Sequence, residues 1–307
     1  MGKRSGKAVK ARNAQTPPPA PEPLRVPVAD SHTHMDMQTP KVAEIIAAAE
    51  AVGVTPLVQV GVDLASSRWA ADVAVANPGK VWAAVALHPN EAPRIVHGDG
   101  ADGVEVDDTD WAGKAREPGG FEALREQLAE IDALASRPQV VAVGETGMDA
   151  FRTGPEGKQA QEESFRGHIA IAKRYGKALM IHDREAHEDV FRVLEEEGAP
   201  HTVVFHCFSG DAAMARRCAD LGYFMSFAGN VTFASAEPLR EAAQAAPAEL
   251  ILVETDAPFL TPRPYRGRPN APYLIPHTLR TLAEVKGADE DELASVIAGN
   301  AARAFGF

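Results

Sequence analysis

The strongest constraint on the fold of this chain is an alternation of short apolar runs with amphipathic stretches. Eight apolar runs lie at residues 26–32, 56–62, 81–88, 140–146, 178–182, 202–207, 223–227 and 250–255. The amphipathic stretches lie at 41–52, 66–76, 121–136, 157–175, 186–197, 211–221, 237–245, 276–286 and 289–304. Nearly continuous apolar runs are typical of parallel strands buried on both faces, and the amphipathic stretches indicate crossover helices.

This pattern predicts an α/β fold, a (β/α)8 TIM barrel formed as a single domain by residues 26–307. An open, doubly wound sheet is the alternative, but no Gly-x-Gly-x-x-Gly follows an early strand to favour dinucleotide binding. Residues 1–25 begin basic and become rich in proline, which predicts a disordered tail that packs on nothing. Residues from about 94 to 120 are acidic and glycine-rich, which predicts an exposed, solvated loop after the third strand.

Charge and cysteine content narrow the class of protein. The net charge of -12 argues against a large basic surface for nucleic acid, but not against an enzyme that grips a few phosphates through metal ions. There are only two cysteines, so a disulfide framework is not expected and a reducing, cytoplasmic location is predicted. No apolar run is long enough to span a bilayer, so we expect no membrane partner. The oligomeric state stays open.

Ionisable side chains stand at the ends of most of the predicted strands. His32 and His34 end the first strand and share a face, because side chains alternate along a strand. The others, in chain order, are His88, Glu145, His182, His206, Glu254 and Asp256. The C-terminal ends of parallel barrel strands meet on one face, and burying so many ionisable groups there is costly without a compensating cation.

Imidazole and carboxylate groups together predict bound divalent metal ions. A closed structural zinc site built from four cysteines is excluded, because the chain has only two. The ligand count predicts two ions that share a carboxylate, with Mg, Mn or Zn as candidates. Such a pair can activate a water molecule and stabilise the leaving oxygen of a phosphoester.

The chain resembles the TatD family of metal-dependent deoxyribonucleases, within the amidohydrolase-like barrel hydrolases, from about residue 28 to its C-terminus. The residues that carry the resemblance are 30–36 (DSHTHMD), 87–89 (LHP), 144–149 (GETGMD), 181–184 (IHDR), 206–210 (HCFSG), 254–260 (ETDAPFL), 263–270 (RPYRGRPN) and 299–305 (GNAARAF). Single segments of this kind are common, but the whole set in this order is specific.

The resemblance implies a role for each strand-end residue. His32, His34 and Asp256 would bind one ion, His182 and His206 the second, and Glu145 would bridge the pair. Asp256 would also accept a proton from the attacking water. His88 and Arg184 would contact the substrate phosphate, for which the planar guanidinium is well shaped. Glu254 would orient a ligand from behind.

The resemblance therefore predicts a divalent-metal-dependent phosphodiesterase that acts on DNA, as a 3′–5′ exonuclease, with RNA as the other candidate polymer. Two alternatives stay open. One is a barrel hydrolase that cleaves a small amide, lactone or ester, which the net charge of -12 favours slightly. The other is a catalytically silent metal-binding protein, against which the intact set of ligand residues argues.

Overall fold

The computed structural model describes residues 16–99 and 116–307, in which eight strands alternate with ten α-helices. The strands are β1 (Val28–Thr33), β2 (Val54–Val60), β3 (Val81–Val85), β4 (Val140–Asp149), β5 (Ala178–Arg184), β6 (Val203–Phe205), β7 (Phe224–Phe227) and β8 (Ile251–Val253). The helices are α1 (Val42–Glu50), α2 (Leu64–Ala76), α3 (Glu91–His97), α4 (Gly120–Ala135), α5 (Pro155–Tyr175), α6 (His187–Glu197), α7 (Ala212–Asp220), α8 (Glu237–Ala245), α9 (Ile275–Lys286) and α10 (Glu290–Phe305).

The strands form one sheet whose order follows the chain from β1 to β8. Their pairing is parallel, as where Ala142 of β4 lies opposite Ala178 of β5. The first strand also pairs with the segment after the last strand, where Thr33 bridges Ala257. A (β/α)8 barrel has this arrangement: parallel strands in sequential order, with the first strand next to the last. The predicted fold class is therefore confirmed.

The described chain divides into two compact units. The central unit contains Val60–Pro78 and Trp82–Val204, and the terminal unit contains 16–59, Gly79–Val81 and Phe205–Phe307. Helix α5 shows how the sequence builds the central unit. Pro155 suits its first turn, Gly176 ends it in a left-handed conformation, and its apolar face is buried. In the described segments, no helix is both long and apolar enough to cross a membrane.

The proline-rich segment 16–24 packs on other residues of the terminal unit. The Tyr273 hydroxyl donates a 2.7 Å hydrogen bond to the Pro18 carbonyl, and the side chain of Leu24 is buried. The prediction of a tail that packs on nothing is therefore wrong for this segment, because its proline carbonyls accept hydrogen bonds and its one leucine is covered. Residues 1–15 lie outside the described residues.

The start of the predicted acidic loop is helix α3, and this helix is largely buried. Arg94 donates hydrogen bonds to Glu91 at 2.9 Å and to Asp99 at 2.7 Å. The exposed loop predicted from about residue 94 is therefore wrong up to Asp99, because the buried charges there neutralise one another. The rest of the acidic run, residues 100–115, lies outside the part of the chain that is described.

Candidate metal centre

The terminal unit gathers five of the strand-end residues into a group, the terminal cluster, made of His32, His34, His206, Glu254 and Asp256. The Nε2 atoms of His32 and His34 lie 3.0 Å apart. Asp256 Oδ1 lies 3.7 Å from the first of these atoms and 3.6 Å from the second. Three potential ligand atoms therefore converge on one point from the ends of β1 and β8.

These separations fit a single divalent ion. Tetrahedral ligands at about 2.0–2.2 Å from a zinc-like ion lie roughly 3.3–3.6 Å from each other. The observed distances of 3.0, 3.6 and 3.7 Å bracket that range. The His32 side chain is fully buried, so solvent does not compete for its nitrogen. The donor chemistry and the geometry both suit a cation held by His32, His34 and Asp256.

His206 and Glu254 extend the terminal cluster. The rings of His206 and His32 stack with their centroids 3.8 Å apart. His206 Nδ1 lies 3.1 Å from Glu254 Oε1, which orients the ring and leaves Nε2 as the ligand atom. This contact agrees with the expectation that Glu254 orients a ligand.

Glu254 also offers an oxygen of its own. The side chain is completely buried, and its Oε2 accepts no hydrogen bond from the described residues. Ligand atoms of Glu254, His32 and His206 lie within 4.8 Å of one another. A buried carboxylate oxygen without a donor is costly, and a cation nearby would satisfy it.

A fixed backbone positions Asp256. Its φ is +52°, in the left-handed region that Asp tolerates better than most residues. The buried Asp30 accepts hydrogen bonds from the Thr255 N–H at 2.9 Å and hydroxyl at 2.5 Å, and burial raises the pKa of Asp30 to about 8 despite these bonds. Asn270 donates to the Thr255 carbonyl at 2.9 Å. The residue before Asp256 is thus clamped by two side chains to which the sequence assigned no role.

The central unit holds a second group, the central cluster, made of His88, Glu145 and His182. Glu145 Oε2 lies 3.2 Å from His182 Nδ1 and 3.7 Å from His88 Nε2. Glu145 follows Gly144, a position where there is no space for a side chain. A Cβ on Gly144 would lie 2.4 Å from the Met180 Cβ, so only glycine lets β4 approach β5 this closely.

Asp149, at the end of β4, supports His182 from behind. Asp149 Oδ2 lies 3.2 Å from His182 Nε2 and accepts a 3.0 Å hydrogen bond from Asn90 Nδ2. Burial opposes the charge of Asp149, but His182 and the neighbouring donors hold its pKa below the usual range. Burial likewise opposes charge on His182, yet the hydrogen bonds to Asp149 and Glu145 raise its pKa to about 9. A ring between two carboxylates marks a site that favours positive charge, which a divalent ion supplies.

The tautomer of His88 follows from its backbone contact. The Asn90 N–H donates a 3.0 Å hydrogen bond to His88 Nδ1. A neutral ring therefore carries its proton on Nε2, the atom that faces Glu145. An Nε2–H group is a hydrogen-bond donor and not a metal ligand, which supports the interpretation of His88 as a substrate contact.

His168, on α5, ties the segments of the central cluster together. Its Nε2 accepts a 3.0 Å hydrogen bond from the Leu87 N–H, and its Nδ1 lies 2.7 Å from the Ser164 carbonyl and 3.0 Å from the Thr146 hydroxyl. Burial lowers the pKa of His168 to about 4, so the ring is neutral. Leu87 and Thr146 are chain neighbours of cluster residues. Sequence reasoning missed His168, because it lies inside a helix without any motif.

Arg184, the other predicted substrate contact, ends β5 in the central unit. Its guanidinium carbon lies 3.8 Å from the centroid of the Phe151 ring.

Every residue predicted as a metal ligand lies in one of the two clusters. The assignment of His182 and His206 to one ion, and the bridging role of Glu145, stay predictions.

Comparisons with known proteins identify the family of this chain. The family model described as TatD related DNase matches residues 29–306. The uncharacterized metal-dependent hydrolase TatD of Mycobacterium tuberculosis is 44% identical over 287 residues, which cover 91% of this chain and 98% of that protein. The uncharacterized metal-dependent hydrolase YabD of Bacillus subtilis is 34% identical, over 90% of this chain and 98% of that protein.

A crystal structure of YJJV, a TatD homolog from Escherichia coli K12, has the same fold. It superposes with a TM-score of 0.74 at 24% identity, covering 91% of this chain and 98% of that chain.

Proposed function

Because the chain belongs to the family of TatD-related DNases and is a metal-dependent hydrolase, we propose that it hydrolyses phosphodiester bonds in DNA as a 3′–5′ exodeoxyribonuclease. Two divalent ions, Mg, Mn or Zn, would serve the reaction. The observation that carries the proposal is the convergence of the His32, His34 and Asp256 ligand atoms within 3.0–3.7 Å of one another. A cytoplasmic location stays a prediction.

The contacts of the cluster side chains suggest their roles in the reaction. When bound, the ions supply the charge that activates a water molecule and stabilises the leaving oxygen. The side chain of Asp256 is 15% exposed and lies beside the two candidate histidine ligands, so its carboxylate can take the proton of the attacking water. Glu254 and Asp149 hold the rings of His206 and His182 in their orientations.

The substrate phosphate would be held by the donors of the central unit. His88 presents an Nε2–H that can bond a non-bridging phosphate oxygen, where charge develops in the transition state. Arg184 offers a planar fork of N–H groups to the same or the next phosphate. His88 follows β3 and faces Glu145, and Arg184 ends β5 two residues after His182.

Hydrolysis of a small amide, lactone or ester is the second candidate, and the net charge of -12 favours it. A strongly acidic protein repels a polyanion but not a small neutral substrate. The same ligand set could serve this chemistry, so the choice depends on the substrate that is turned over.

End-labelled oligonucleotides test the proposal. Single-stranded and blunt duplex DNA, labelled at the 5′ or the 3′ end, are incubated with chelated protein and then with Mg, Mn or Zn restored, beside Asp256→Asn. We expect stepwise shortening from the 3′ end that requires metal and Asp256. Cleavage of small amides or esters by the same metal-loaded protein, with DNA left intact, would instead establish the second candidate.

A further inference from the structure

Segment 16–24 runs along the terminal unit from one end of the strands to the other. The Leu24 N–H donates a 3.0 Å hydrogen bond to the Val52 carbonyl, just before the starts of β1 and β2. At the other end of the segment, the Arg268 guanidinium donates a 3.0 Å hydrogen bond to the Thr16 carbonyl. Arg268 belongs to the loop that joins β8 to α9, so Thr16 lies on the side where β8 ends.

The loop between β8 and α9 is tied to the terminal cluster. Asn270, two residues after Arg268, donates a 2.9 Å hydrogen bond to the Thr255 carbonyl. Thr255 directly precedes Asp256, a candidate metal ligand. Residues 1–15 are therefore joined to the barrel on the side that carries the candidate ligands of the terminal unit.

Two stretches without acidic residues meet at this loop. Residues 257–283 contain no Asp or Glu, and neither do residues 1–21, although the chain has 43 acidic residues. The net charge of -12 is therefore distributed unevenly along the chain. The arginines of the first stretch are Arg263, Arg266, Arg268 and Arg280, and the basic residues of the second are Lys3, Arg4, Lys7, Lys10 and Arg12.

The three loop arginines, Arg263, Arg266 and Arg268, have no acidic partner. The first two are exposed, and the third is partly exposed. Arg266 lies over the Phe233 ring at 4.4 Å, and Arg268 donates to backbone carbonyls. Among the residues that the structure describes, no carboxylate forms an ion pair with any of the three. Because carbonyl groups and an aromatic ring carry no net charge, three positive charges remain around this loop.

A basic segment beside three such arginines suits the phosphate backbone of a nucleic acid. Contacts of Lys and Arg with phosphates release counterions and supply affinity that does not depend on sequence. Residues 1–15 can span at most about 50 Å when extended, so they can follow a strand well beyond the terminal cluster. A local basic surface also offsets the repulsion between a polyanion and an acidic protein.

We propose that segment 16–24 holds the basic residues 1–15, the arm, beside the loop arginines, and that arm and loop together bind the phosphate backbone of the nucleic-acid substrate away from the terminal cluster. This inference rests on the proposed function and adds a second contact for the same substrate. The arm contributes affinity for a long strand and none for a strand too short to reach it.

Binding of single-stranded DNA without turnover tests this surface. Fluorescent oligonucleotides of about four and about twenty nucleotides are titrated with chelated protein at several salt concentrations, and anisotropy reports binding. We expect removal of residues 1–15 to weaken binding of the long strand at least about 10-fold at low salt. The slope of log K against log salt should become shallower by up to about 3, because five cations are lost. Binding of the short strand should not change.

A variant that keeps the length of the arm tests its charge. It carries five substitutions, Lys3→Gln, Arg4→Gln, Lys7→Gln, Lys10→Gln and Arg12→Gln. This variant should bind the long strand as weakly as the truncated protein. Arg266→Gln should weaken binding of the long strand as well, whereas Arg216→Gln, at an exposed residue on α7, is the matched control and should bind like the wild-type protein.

A second variant keeps the charge of the arm and changes its position. Residues 1–15 are removed from the N-terminus and attached after Phe307, beyond the end of α10. The Arg303 side chain donates to the Glu249 carbonyl, which precedes β8, so α10 ends on the side opposite the loop arginines. The moved arm should therefore restore little of the lost affinity.

The outcomes separate this inference from the proposed function. If the metal-loaded protein shortens DNA, but the truncated or Gln-substituted arm leaves the affinity for the long strand and its salt dependence unchanged, the surface is overturned and the nuclease stands. Full affinity with the arm moved behind Phe307 would also overturn the surface, because the position of the arm would then be irrelevant. If the full chain binds the long strand through the arm but cleaves no DNA with any metal, the nuclease is overturned and the surface stands as a binding site for nucleic acid.

Discussion

Asp149 Oδ2 lies 3.2 Å from His182 Nε2, while the other nitrogen of the same ring faces Glu145 at 3.2 Å. The carboxylate thus fixes which nitrogen is turned toward the predicted ligands. Such a partner raises the basicity of a ligating imidazole and locks its orientation. Asp149 belongs to the GETGMD segment, and its contact with His182 gives that residue a physical function.

We expect Asp149→Ala to weaken metal binding by roughly 10- to 100-fold, because the His182 ring loses the group that orients it. The measurement is a competition titration of the purified protein with a fluorescent zinc chelator. Asp189→Asn, which removes a partly exposed charge on α6, is the matched control and should leave the affinity unchanged. Equal affinities for the wild-type protein and Asp149→Ala would show that His182 needs no such partner.

Asp256→Asn tests the proposed proton acceptor with almost no change in shape. We expect the turnover of DNA to fall by roughly 10²- to 10⁴-fold, because the amide can neither take the proton of the attacking water nor supply the ligand charge. The melting temperature should stay close to that of the wild-type protein, since the clamp of Asp30 and Asn270 on Thr255 is retained. A near-wild-type rate in the variant would refute this role for Asp256.

The strands were predictable because each is a run of apolar residues buried on both faces. Their ends differ from the predicted ones by up to three residues, and β4 extends furthest, to Asp149 instead of residue 146. Thr146 and Asp149 are polar, and they remain in the strand because buried side chains form hydrogen bonds with them. Thr146 meets His168, and Asp149 meets His182 and Asn90. The sequence pattern cannot show such compensation, since it counts polarity without knowing the neighbours.

The candidate ligand residues could be selected from their place at strand ends and from the family resemblance, but the side chains that contact them could not. Asn90 and Asp149 are 59 positions apart in the chain, and only the fold brings them together. Helix α3 was missed for the same reason, because Arg94 reads as a solvated charge until its buried carboxylate partners are known.

The buried His168 should make stability depend on pH. Burial lowers its folded-state pKa to about 4 from an ordinary value of 6.5, so between these values the unfolded chain binds a proton that the folded chain does not. The contribution of the neutral ring is therefore fully present above pH 6.5 and is lost as the pH falls toward 4. This difference is worth roughly 3 kcal/mol of unfolding free energy.

Urea unfolding of the wild-type protein and His168→Gln at a series of pH values checks this prediction. We expect the variant to be less stable at neutral pH and to lose less stability on acidification, so that the two curves converge as the pH falls. His201→Gln, at an exposed histidine, is the matched control and should follow the wild-type curve. Parallel curves for the wild-type protein and His168→Gln would mean that His168 does not titrate in this way.

Because segment 16–24 is docked, we expect two N-terminal truncations to have different melting temperatures. Removal of residues 1–24 deletes the buried Leu24 and the carbonyl partners of Arg268 and Tyr273. Burial of one leucine contributes about 1.5–3 kcal/mol, so we expect the melting temperature to fall by roughly 3–6 °C. Removal of residues 1–15 leaves these contacts in place and should not change the melting temperature.

Thermal unfolding of the full chain and both truncations, by calorimetry at one protein concentration, decides the point. Tyr273→Phe adds an independent check, because it removes only the hydroxyl that donates to Pro18 and should lower the melting temperature by a fraction of the longer truncation's effect. Identical melting temperatures for all four proteins would show that the docked segment contributes nothing to stability. A loss that is already complete on removal of residues 1–15 would place the stabilising contacts before Thr16.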